Sequence, residues 1–165
     1  GQYCAVLRKT SPQARKVPGG TRPGRKDGHG SRLAELFGIP VRPVVRGDLL
    51  KAVPENIADE TAFVAEKVKV VSSGCAAGTL KGKDFIPDAD LALDICLRED
   101  AFRRVDVDRR TALSFLHRDA IVLDDMAKGY VLICHGGVPL GFVKNLGNRC
   151  NSLHPMERRI RMSID

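Results

Sequence analysis

The chain has 165 residues, 43% of them hydrophobic, enough for one ordinary core with appendages and too little for two full domains or most complete enzymes of the larger folds. Its formal charge of +7 suits a polyanionic partner, and that charge is gathered at the ends: eight Lys/Arg face one Asp in residues 8–32, 14 face 17 acidic residues in 33–139, and five face two in 140–165. The five cysteines (Cys4, Cys75, Cys96, Cys134 and Cys150) form no CxxC pair, and no run of 18 apolar residues occurs, which argues against a disulfide framework, a zinc site or a membrane partner and gives the expectation of a cytoplasmic protein with reduced thiols.

In chain order, "QYCAVLRK" (2–9) reads as a short strand, followed by a stretch in which eight of residues 10–31 are Gly or Pro and none is aromatic. Such a segment cannot bury enough apolar surface to order itself, so 10–31 is expected to be a flexible basic linker, and 1–9 the last strand of a missing preceding domain. "SRLAELFG" (31–38) offers a serine cap, Leu33, Leu36 and Phe37 at helical spacing, and a glycine stop. "RGDLLKAVP" (46–54) reads as one or two further helical turns, which makes 32–62 a short helical connecting segment. The β-branched residues of "FVAEKVKVVSSG" (63–74) suggest a strand, with "AAGTLKG" another after it.

"IPDADLALDICLRE" places Pro87 and Asp88 at a helix start with Leu91, Ile95 and Arg98 following, and "DVDRRTALSFLHRD" is a second helix capped by Asp106 or Asp108 that buries Ala112, Phe115 and Leu116. Three strands are expected after it: "YVLICHGG", "VPLGFVKN", and "RRIRM" beyond a polar loop, the first two joined by a hairpin at Gly136 and Gly137. Strands with short helices between them and no regular βαβ alternation indicate an α+β fold on a small curved sheet or pseudo-barrel over 63–165.

Several superficial motifs carry no chemistry. "PGGT" (18–21) lacks the strand that a phosphate-cradling glycine turn follows, and "HRD" (117–119) has Asp124 where a kinase catalytic loop needs its metal-binding Asn. His29, His117, His135 and His154 have no ligand or acid–base spacing and read as solvated positions; no carboxylate pair stands out. The polar segment "GFVKNLGNRCNSLHP" (141–155) has two readings. Its asparagines can simply turn the chain, with Gly147 left-handed, while Lys144, Asn145, Arg149 and Asn151 also supply donors suited to phosphate, sugar and unpaired-base edges, with Arg158, Arg159 and Arg161 following.

"GVPLGFVKNLGNRCNSLHPMERRIRM" (137–162) resembles the C-terminal PUA-like segment of RNA (cytosine-5)-methyltransferases of the Sun/RsmF family. "SGCAAGTLKGKDFIPDADLALDI" (73–95) looks like that family's upstream piece, "TALSFLHRD" (111–119) its next short helix, and "AVLRK" (5–9) the strand closing its catalytic domain. The resemblance implies a PUA-like RNA-binding domain that contacts ribosomal RNA through Lys144, Asn145, Arg149, Asn151, Arg158, Arg159 and Arg161, with Lys81 and Lys83 in the Lys-Gly-x-x-Phe-x-Pro turn. The family's catalytic Pro-Cys and Thr-Cys dipeptides are missing, since the cysteines here follow Tyr3, Gly74, Ile95, Ile133 and Arg149. The expectation is therefore a chain with no catalytic residue, no metal and no cofactor of its own, serving a catalytic domain of the same parent enzyme that binds S-adenosylmethionine. A standalone RNA-binding protein and a protein interaction module are the alternatives.

Overall fold

The computed structural model describes residues 33–82, 84–123 and 127–162. The strand expected at 2–9, the linker expected at 10–31 and Lys83 lie outside them. Among the described residues eight strands form two four-stranded sheets, each with its strands in chain order, and a few short helices accompany them in an α+β arrangement.

The first sheet is an antiparallel meander of β1 (Val41–Arg46), β2 (Leu49–Pro54), β3 (Cys75–Lys81) and β4 (Asp84–Pro87). Here the expected helical turns at 46–54 are corrected to a strand. Gly47 and Asp48 form a two-residue hairpin loop with Gly47 at φ 60°, and Arg46 pairs with Leu49 across it. Leu50 and Ala52 then alternate inward, so the period is two and not 3.6. The connecting segment is thus largely a hairpin that pairs with β3, and Pro43 is tolerated because β1 is an edge strand.

The strand expected at 63–74 is corrected in the opposite direction. Helix α1 (Ala58–Lys67) covers its first half, with Asp59 and Glu60 in the first turn and Lys67 in the last, as the helix dipole favours. Val68 and Val71 lie beyond its end at 58% and 92% exposure, and β-branched residues with nothing to pack against form no strand. Arg42 ties β1 to this region by ion pairs to Glu55 and, at 2.6 Å, to Asp59.

Helix α2 (Ala89–Ala92) starts where Asp88 accepts the Asp90 N–H at 3.0 Å, as expected, but it ends a turn early. Asp94 takes the Cys96 N–H at 2.8 Å and turns the chain, so Ile95 is left in solvent.

The second sheet contains β5 (Arg103–Asp106), β6 (Gly129–His135), β7 (Val138–Asn145) and β8 (Cys150–Ser152). β5 runs parallel to β6, and the other pairs are antiparallel. Between β5 and β6 lies α3 (Arg109–His117), capped by Asp108, whose carboxylate accepts the Thr111 N–H at 2.7 Å. Gly136 and Gly137, both at positive φ, make the expected hairpin. The expected strand "RRIRM" is corrected: Pro155 opens a 3-10 turn at Met156–Arg158, and the sheet's edge is taken instead by β8, from inside the segment read as loop.

Two apolar clusters hold these layers. One joins the sheets, gathering Leu50, Ala52 and Ala77 with Leu91, Leu132 and Phe142. The other packs Phe115 of α3 against Val131, Ile133 and Val143 on the opposite face of the second sheet. Four successive residues of β6, Val131, Leu132, Ile133 and Cys134, are therefore buried, which is why the middle of the strand is a continuous apolar run.

Candidate nucleic-acid interface

Strand register assembles the site. Antiparallel pairing sets Tyr130 of β6 opposite Lys144 of β7, and Lys144 opposite Asn151 of β8, so these three side chains form one row on one face. Leu132 and Phe142, the next pair along that face, are fully buried. The row thus marks where the sheet emerges from under the core. The Lys144 ammonium stands 5.4 Å from the centroid of the Tyr130 ring, a cation–π contact that steadies an exposed lysine by about 0.5–1 kcal/mol.

The loop after β7 depends on Asn145, which, expected among the RNA contacts, is buried at 1% exposure. Its Nδ2 donates to the Ala127 carbonyl at 3.3 Å, its Oδ1 accepts the Gly147 N–H at 2.9 Å, and the Cys150 thiol approaches the same oxygen at 3.8 Å. Gly147 has φ +101°, the positive value its place in the turn required, and the Leu146 N–H closes the loop onto the Arg149 carbonyl at 2.9 Å. Arg149 is left exposed at the tip, beside the row.

The remaining sequence-predicted residues are not all brought to this place. Beyond β8 the chain turns away: the Leu153 N–H bonds the Phe142 carbonyl, Arg158 pairs with Asp90 of α2 at 2.7 Å, and the Ile160 N–H reaches Leu116 of α3. Arg159 and Arg161 are exposed along that segment, in a stretch without strand pairing. Lys81 is exposed at the end of β3, opposite Asp84, on the first sheet.

Two histidine expectations divide. His117 is the last residue of α3, with Nδ1 2.8 Å from Asp119. His154, expected in solvent, is corrected: it is 7% exposed, packed against the Phe115 ring at 5.4 Å, and neither ring nitrogen has a hydrogen-bond partner. Burial, with Asp94 nearby, pushes the Cys75 thiol up, and burial does the same to Cys134 and Cys150, so these cysteines stay protonated at neutral pH. Among the described residues no group of His, Cys, Asp and Glu could hold a metal ion, and no helix is long and apolar enough to cross a membrane.

Tyr130 is the member of the row that sequence reading missed. It belongs to an apolar strand, where an aromatic residue reads as core, and only the register with Lys144 places it at the margin. Residues 102–160, which contain the whole second sheet, match the family model of the methyltransferase RsmF PUA domain. This stretch is a PUA-like region of the RsmF/Sun type. No curated protein is matched by the chain. Of the candidate contacts, Lys144, Arg149, Asn151, Arg158 and Arg159 fall inside the PUA-like region, as does Tyr130; Lys81 and Arg161 fall outside it.

Proposed function

We propose that this chain grips ribosomal RNA on behalf of an S-adenosylmethionine-dependent cytosine-5 methyltransferase domain of the same parent protein. One observation carries the reading: the stretch that matches the RsmF PUA domain is the one whose strand register exposes Tyr130, Lys144 and Asn151 in a row, with Arg149 at the adjoining tip. A methyltransferase acting on one cytosine must have that base out of its stack, and an appended domain helps by holding the surrounding RNA in register. Lys144 and Arg149 attract phosphate, while the Asn151 amide, fixed by β8, offers a donor and an acceptor to sugar or base edges. The chemistry itself belongs to the catalytic domain, where S-adenosylmethionine supplies the methyl group.

The test is fluorescence anisotropy of ribosomal RNA fragments titrated with the chain across a salt series. Binding whose logarithm falls linearly with the logarithm of salt supports the reading. Absence of RNA binding at low salt overturns it and leaves a protein interaction module. Calorimetry with S-adenosylmethionine should show no saturable binding to this chain at micromolar concentration; such binding would overturn the division of labour.

A further inference from the structure

Beside the Tyr130–Lys144 pair, the two sheets leave an open groove of about 640 Å³, within the ~300–1,000 Å³ span of sites that hold small organic ligands. Its lining includes Glu35, Phe85, Arg98, Phe102, Arg103 and Tyr130. Three of the chain's eight aromatic residues thus converge on one cleft.

The walls are preformed. Phe102 is held by the buried ring of Phe142, with centroids 4.7 Å apart and planes tilted by 59°. Phe85 lies across Gly78 of β3, where an added Cβ would stand 2.5 Å from its ring, so the absence of a side chain on β3 makes the room that this ring occupies. Tyr130 is half-buried, with the Lys144 ammonium over its face. Arg98 makes a two-pronged pair with Asp100, Nε to Oδ1 at 2.9 Å and Nη2 to Oδ2 at 2.7 Å, and both residues line the groove.

We propose that this groove takes one unpaired nucleotide of the RNA, its base among Phe85, Phe102 and Tyr130 and its phosphates on Lys144 and Arg103. The proposal rests on the RNA-binding reading above and adds a ligand subsite to it. The charges give the nucleotide a direction. Glu35 and Asp100 in the lining repel phosphate but accept hydrogen bonds from base N–H groups, while the exposed Arg103, also in the lining, and Lys144, over the Tyr130 ring, attract phosphate. Aromatic faces accept any base, because every base has a π face. A duplex cannot enter, since its bases are stacked and paired; the groove therefore selects single-stranded or bulged RNA.

The experiment uses the full chain and a short RNA carrying one 2-aminopurine, presented either single-stranded or inside a duplex, with anisotropy and fluorescence intensity read in the same titration. The expected result is quenching of the single-stranded probe on binding and no quenching in the duplex. Tyr130→Ala should weaken single-strand binding about tenfold and abolish the quenching, whereas Tyr130→Phe should retain both. Lys144→Ala should flatten the salt dependence yet keep the quenching. A thermal melt confirms that each variant is folded. If Tyr130→Ala does not fold, Arg103→Glu replaces it, with the same loss of single-strand affinity expected. RNA binding with unchanged probe fluorescence, or a folded Tyr130→Ala or Arg103→Glu variant that binds like the native chain, overturns the groove while leaving the RNA reading intact. No anisotropy change with either RNA overturns both.

Discussion

The second sheet is buried on both faces, whereas the first contributes to one shared cluster and has no second cluster behind it among the described residues. Side-chain size follows from this. β6 and β7 place Val131, Leu132, Ile133, Phe142 and Val143 between two cores, while β2 and β3 meet the same shared core with Leu50 and, beyond it, only Ala52, Ala77 and the bare backbone of Gly78. Strands filled with large apolar side chains give a rigid platform on which register alone can display Tyr130 and Lys144. Small residues in the first sheet let α2 and the Phe85 ring come close, and so shape the groove's other wall. The platform lies wholly within the PUA-like region and the Phe85 wall lies outside it.

The comparison breaks most visibly at Phe115, which is fully buried between α3 and the second sheet. Phe115→Ala should destabilise the chain by about 3–5 kcal/mol in chemical denaturation, because it leaves a cavity among Val131, Ile133 and Val143. A loss below about 1 kcal/mol would mean that the second sheet does not depend on being covered twice.

In the first sheet the corresponding weakness is too much volume rather than too little. Gly78→Ala places a methyl 2.4 Å from the Ile86 carbonyl oxygen and 2.5 Å from the Phe85 ring, so β4 must move. A loss of about 1–3 kcal/mol in the same assay is expected. The displaced Phe85 should also weaken single-strand RNA binding at temperatures where the variant remains folded.

Asn145 and its neighbours sharpen the contrast within one loop. Asn145→Ala strands the Gly147 N–H and the Ala127 carbonyl and should cost about 1–3 kcal/mol of stability. Replacing Lys144 and Arg149 together with alanine should change stability by less than about 0.5 kcal/mol. The same double variant should reduce RNA affinity and lower the salt slope by about 1–2. Unchanged affinity and slope in that folded variant would leave the loop purely structural.

The smallest effect is at the cap of α3. The Thr111 N–H holds the Asp108 carboxyl below the ordinary carboxylate range. A carboxylate whose pKa is depressed by folding stabilises the folded state above its unfolded pKa and loses that contribution as pH falls through the folded value. Helix α3 should therefore fray only in acid, and Asp108→Ala should remove this acid-dependent component from circular dichroism melts recorded between neutral pH and the low end of the carboxylate range.

Legibility in the sequence followed local chemistry. The Gly136–Gly137 turn, the Asp108 cap and the all-apolar run of β6 each carry their signal within a few residues, and all three appear in the structure as read. The Gly47–Asp48 hairpin was equally local, but the leucines beside it fit a helical period over so short a window that the turn signal was outweighed. At 63–74 the valines pointed to a strand that nothing was there to pair with, while Ala, Glu and Lys a few positions earlier carried the helix. "RRIRM" failed for a related reason: a strand needs an edge, and β8 had taken it.

The sequence by itself determined an α+β chain with its positive charge at both ends, its caps and hairpin glycines, and a loop in which Gly147 must have positive φ, because each of these rests on contacts between near neighbours or on simple addition of charge. Tertiary structure alone decided which loop residues face outward. Asn145 and Lys144 are adjacent in sequence, yet the two-residue period of a strand sends one into the protein and leaves the other over Tyr130. It also decided that Phe85 and Tyr130, from different sheets, share one groove, since no local rule carries the pairing of strands that are distant along the chain.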